Sequence, residues 1–152
     1  MKQGYLAGDK EFKVHIDGYD QTDYFSGNSE SPRKEFFYFN DDGSLVALRY
    51  NQWKLVFAEQ RAEGMEVWQD PFVVLRLPKL FNIRSDPFET ADHESMDYPR
   101  WRFEHLFLLV PAQQYVGQFL ETFRTYPPRQ KAGSFGIDQV LEMLSNPPRG
   151  TH

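Results

Sequence analysis

The hydrophobic pattern changes period once along this chain, and that change restricts the folds open to it. Residues 12–84 read as short apolar runs of strand length separated by turn residues, whereas residues 99–145 carry apolar side chains at helical spacing. Strands and helices repeat every two and every 3.6 residues, so neither half can take the other's structure without exposing its apolar face. Strands first and helices after predict an α+β domain: a small antiparallel sheet of about four strands packed against C-terminal helices. The 152 residues suit a single domain, residues 1–152, long enough to bury a core.

Turn chemistry sets the expected boundaries. "FKVHI", residues 12–16, reads as a strand ended by Gly18. "DQTDYFSG" reads as one helical turn, with Asp20 as its N-cap and Gly27 as its stop. "EFFYF", Glu35 to Phe39, is a strand, and "NDDGS" after it is a turn. "LVALRY" and "WKLVF" form a hairpin joined by Asn51-Gln52, and Arg61 to Gly64 is loop. "MEVWQDPFVVLRLPKLFNIR" reads as strand broken into segments by Pro71 and Pro78, its last piece, Lys79 to Arg84, pairing with the hairpin. Asp86-Pro87 ends that strand in a turn, with Glu89 and Thr90 beyond it in solvent. Trp101, His105, Leu108 and Leu109, then Tyr115, Phe119 and Phe123, recur at helical spacing. Pro111 is expected to kink that stretch or split it in two. A last short helix, Gln139 to Leu144, precedes the tail "SNPPRGTH".

Composition excludes several functions. With 14 Phe and 8 Tyr the chain is built to pack. A net charge of -5 argues against nucleic acid or an anionic membrane surface as partner, since both need a basic face. No run approaches the ~20 apolar residues of a membrane span, and "MKQGYLAGDK" lacks the apolar stretch of a signal peptide, which leaves the compartment open. The chain has no cysteine, hence no disulfide, thiolate zinc site or cysteine nucleophile.

Polar clusters find ordinary structural explanations. Asp41-Asp42 before Gly43 suits a turn, and Asp92, His93 and Glu94 are too close in sequence to converge on one ion. His15 and His105 have no Ser or Cys motif linking them to nucleophilic chemistry. Arg49, Lys54 and Arg84 lie on adjacent expected strands and are the candidate anion-binding residues, with cross-strand pairing to nearby acids as the other role open to them. No catalytic residue and no metal ligand is assigned.

The order of the pieces resembles the C-terminal portion of bacterial arylsulfatases, members of the formylglycine-dependent sulfatase family. Asp17-Gly18 followed by Tyr24-Phe25-Ser26-Gly27 is similar to that family's Asp-Gly and short helix with its stop. Arg33 before the aromatic strand Phe36 to Phe39, Arg49 on the next strand, and Trp53-Lys54 opening the one after follow the same order. Leu80 to Glu89, "LFNIRSDPFE", is similar to the family's closing L-Y-[DN]-L-x-x-D-P-x-E signature, and "FRTYPPRQKAGSFGIDQVLEML" extends the likeness to the tail.

This resemblance implies a non-catalytic subdomain whose parent family hydrolyses sulfuric esters. The family's C/S-x-P-x-R nucleophile motif, its divalent cation, usually calcium, and its formylglycine all belong to an N-terminal catalytic domain. "SESPRK" does not supply the motif, because Pro32 and Arg33 are adjacent. The implied partner is that catalytic domain, and the implied roles are support of the substrate mouth and assembly. A module separated from it is expected to self-associate through an exposed apolar face, with "YLAGDKEFKVHI" as a possible unpaired edge. The alternative is a free-standing interaction protein that reuses the fold. Export of the parent enzyme is a family-level expectation.

Overall fold

A computed structural model describes residues 4–12 and 18–127. The first two strands, β1 (Tyr5–Ala7) and β2 (Lys10–Phe12), pair with each other as a small antiparallel hairpin. "YLAGDKEF" is therefore self-paired rather than a lone edge. The rest of the expected first strand, with His15, lies outside the described residues.

The short helix α1 (Thr22–Phe25) forms where expected and stops at Gly27, whose φ of +75° a side chain would strain. Asp20 stands one residue too early to be its N-cap. It still accepts hydrogen bonds from the Thr22 amide at 2.9 Å and the Thr22 hydroxyl at 2.6 Å.

Four strands then form one antiparallel meander in chain order: β3 (Glu35–Phe39), β4 (Leu45–Tyr50), β5 (Trp53–Glu59) and β6 (Val73–Asn82). "MEVWQD" departs from expectation, because Gly64–Trp68 forms a 3-10 turn and not a strand. Pro78 does not interrupt β6. It lies in the register shift between the Val56↔Lys79 and Ala58↔Val74 pairings, on an edge strand, where a missing N–H costs the ladder little.

The helices follow as α2 (Ala91–Glu94), α3 (Tyr98–Glu104), a 3-10 turn (Leu106–Leu108) and α4 (Leu109–Thr125). The expected split occurs, but at His105 and the 3-10 turn. Pro111 falls in the first turn of α4, where a backbone N–H has no intrahelical partner to lose. The last expected helix, Gln139 to Leu144, lies outside the described residues.

The two-residue period sorts the sheet into two faces. One carries Leu48, Leu55 and Leu80, which with Ala112 of α4 make the core; Phe37 of the same face, with Trp53, Trp101, Leu109 and Tyr115, packs around it. Phe37 stacks on Phe119 at 4.0 Å and Tyr50 packs on Tyr115 at 4.7 Å, which lays α4 across β3 and β4. The other face carries two transverse rows, Phe36–Arg49–Lys54–Phe81 and Tyr38–Ala47–Val56–Lys79.

Candidate functional site

The face turned away from α4 concentrates the charge. Arg49 and Lys54 are direct cross-strand partners, an arrangement that places like charges side by side and is unfavourable unless neutralised. The chain neutralises Lys54 from outside the sheet. After β6 it turns through residues 83–88 and brings back Glu89, held at φ +57°, whose two carboxylate oxygens each lie 2.7 Å from Lys54 Nζ. Asp86 fixes the return: its carboxylate accepts the Thr90 and Ala91 amides at 3.1 and 2.9 Å and so anchors the start of α2. Glu89 is therefore a partly buried ion-pair partner, not a residue left in solvent beyond the turn.

Beside it, Lys79 binds both Glu59 and Asp92, while His93 Nε2 stands 3.3 Å from Asp92. Burial pushes the Glu59 carboxyl up, but hydrogen bonds from Lys79 and Arg61 outweigh it and hold the group below the usual carboxylate range. Burial likewise pushes Lys79 down, and its bonds to Asp92 and Glu59 outweigh that and raise it. Lys54, Glu89, Glu59, Lys79 and Asp92 line a pocket of about 290 Å³ walled by Tyr38 and Phe81. Its cations are matched by carboxylates, so its polar groups chiefly bind one another.

The second concavity has the opposite balance. At the end of the sheet marked by the β4–β5 turn, a groove of about 680 Å³ is lined by Arg33, Lys34, Arg49 and Arg84, with Glu35 as the one acid among the described lining residues. Backbone bonds make this end rigid: the Asn51 amide donates to Lys34 O and the Ile83 amide to Gln52 O, each at 2.8 Å. Asn51 takes φ +52° in the tight turn, a conformation asparagine tolerates. Arg49 Nε donates to Asn51 O at 2.9 Å, which orients its guanidinium. Arg33 lies over the rings of Tyr19 and Phe36, at 5.2 and 5.8 Å.

The three candidate anion residues thus divide. Arg49 and Arg84 share the groove, whereas Lys54 belongs to the ion-pair pocket and takes the pairing role. Arg33 and Lys34 join the groove, which the sequence reading missed. The available signal was the hairpin register, since Glu35 pairs with Tyr50 and so sets the two preceding residues beside the Asn51 turn. His105 is a packing residue: its Nδ1 lies 2.7 Å from Trp101 O, and its ring rests between Trp53 and Trp101.

Among the described residues, no three His, Asp or Glu side chains gather as a metal site. No helix among them is long and apolar enough to cross a membrane. No protein-family model matches this chain, and the search of curated proteins found no match.

Proposed function

We propose that this chain is a non-catalytic sheet-and-helix module, the C-terminal subdomain of an arylsulfatase, that supports the substrate mouth and assembly of a larger enzyme. The observation that carries this reading is the bond between Lys54 and Glu89. It joins the aromatic-Lys strand to the D-P-x-E turn, two pieces on which the resemblance rests, and Asp86 of the same signature anchors the turn. Residues distant in sequence therefore act as one unit, which gives the motif a physical reason to recur as a set. A binding role, not a catalytic one, follows from the groove's composition. Sulfate ester hydrolysis needs an activated nucleophile beside preorganised positive charge, and the groove lining offers charge with only the Glu35 carboxylate, which already accepts from Tyr19.

The role in assembly draws support from the surface. Phe88, Val74 and Trp68 are 85%, 80% and 78% exposed, a large apolar outlay for an isolated domain. In this reading they meet the catalytic domain, or a second copy when that domain is absent.

The test is the genomic reading frame upstream of the Met1 codon. A frame that runs back without a stop into a Cys- or Ser-x-Pro-x-Arg motif is the expected result. A stop codon and a ribosome-binding site immediately upstream overturn it and favour a free-standing interaction protein.

A further inference from the structure

We infer that the outer edge of β3 pairs antiparallel with the same edge of a second copy of this chain, joining two sheets into one. The two edges of the meander are built differently. β6 carries Pro78, which has no N–H to offer, with the charged Arg76 and Lys79 near it, and Tyr98 closes it at Leu80. Proline, charge and a covering side chain are devices that keep a sheet edge from pairing with another chain. β3 has none of them along Phe36-Phe37-Tyr38-Phe39, and the bulge beside it belongs to β4, where the register passes over Val46. Among the described residues, no strand lies beyond β3 and no hydrogen bond reaches its outer main-chain groups.

The bonds at the two ends of β3 establish which groups point outward. Lys34 O accepts from the Asn51 amide and the Asn40 amide donates to Ser44 O, so residues 34 and 40 bond toward the β4 side. Alternation then turns the N–H and C=O of Glu35, Phe37 and Phe39 to the open side. These positions are complementary to themselves when reversed. With a two-fold axis at Phe37, each Phe37 exchanges both main-chain bonds with its counterpart, and Glu35 does so with Phe39 of the other copy. The same register sets Phe36 opposite Tyr38 of the second copy, on the face turned away from α4. Within one chain these two rings already meet edge to face at 4.8 Å, so the pairing extends an existing aromatic cluster. Charge selects the direction. Lys34 comes diagonally across from Asp42 of the second copy, within reach of a lysine side chain, and symmetry repeats the contact. Parallel pairing would instead set Lys34 beside Lys34 and Asp42 beside Asp42. Within one chain the ion pair of Lys34 is a 3.9 Å contact with exposed Glu30, and among the described residues Asp42 has none. The inference rests on no part of the family reading, because it concerns the chain alone.

The test combines sedimentation of the full chain over a range of concentrations with amide hydrogen exchange followed by NMR. The expected result is a monomer–dimer equilibrium with a Kd below about 1 mM. The Glu35, Phe37 and Phe39 amides should be protected in the dimer and lose that protection on dilution. Lys34→Asp should weaken association by at least about fivefold, and the double variant Lys34→Asp/Asp42→Lys should restore it. Val74→Lys, on the exposed apolar surface of β6, should leave it unchanged. A chain that stays monomeric overturns the proposal in either of two ways. Edge amides that exchange freely leave β3 to solvent or to an unlike partner, and edge amides protected in the monomer mean that the chain covers its own edge. A dimer lost in Val74→Lys but kept in Lys34→Asp overturns it too, by moving the contact to β6. Should a variant fail to fold, the concentration dependence of the three amides in the unaltered chain decides.

Discussion

The hydroxyl of Tyr98 lies 3.1 Å from both the amide nitrogen and the carbonyl oxygen of Leu80, accepting from one and donating to the other. Leu80 sits on β6, the last strand of the meander, whose outer edge would otherwise present an unpaired peptide group. A single side chain from α3 thus closes the edge at a residue of the core. Tyr98 is itself buried, and its ring packs on Phe81 and Trp101.

Tyr98→Phe keeps the ring and deletes the hydroxyl, leaving both groups of Leu80 unsatisfied. The expected cost is about 1–3 kcal/mol in urea unfolding. Unchanged stability would mean that water reaches this edge and that the bond is incidental.

Lys54 and Glu89 are 17% and 30% exposed, so solvent screens their pairing only in part. A double-mutant cycle with Lys54→Met and Glu89→Gln is expected to give a coupling of about 1 kcal/mol that shrinks as salt is raised. Glu89→Gln alone should also leave Lys54 facing Arg49 without a counter-ion. A coupling indistinguishable from zero at low salt would remove the pair as the link between β5 and the returning turn.

The Glu59–Lys79 pair sets the pH window. Glu59 has a folded pKa lowered from 4.5, so its contribution is present above that value and is lost as pH falls through the folded pKa. Lys79 is raised from 10.5, so its contribution is complete below that value and is lost as pH rises through the folded pKa. Tyr98, raised from 10.0 chiefly by burial, adds an alkaline loss of the same sign. Thermal unfolding should therefore show a plateau between these limits. Lys79→Met should flatten the acid limb as well as the alkaline one, and an acid limb that keeps its slope in that variant would disconnect Glu59 from the network.

Leu48 is fully buried between sheet and helix, and Ala112 faces it from α4. Leu48→Ala should cost about 2–5 kcal/mol by leaving a cavity, and Ala112→Leu about 1–3 kcal/mol by overfilling the contact. If Ala112→Leu is neutral to chemical denaturation, α4 is not seated closely on the sheet.

Local pattern was enough to fix the α+β class, strands β3 to β5, the hairpin turn at Asn51-Gln52 and the stop at Gly27. Each rests on information within a few residues: alternation, a turn-forming pair or a glycine needed at positive φ. Pro78 and the 3-10 turn at Gly64–Trp68 escaped that logic. Whether a proline breaks a strand depends on whether its missing N–H would have met a neighbour, and only strand order decides which strand is an edge. The candidate site divided in the same way. Sequence placed Arg49 and Lys54 on paired strands, because pairing follows from the hairpin, but Arg84, expected on the next strand, lies in the turn just past the end of β6. It could not say that Glu89 folds back onto Lys54, nor that Arg84 joins Arg33, Lys34 and Arg49 around one groove. Charge pairing acts through space, and separations of 35 to about 50 residues leave no periodic trace for local pattern to reveal.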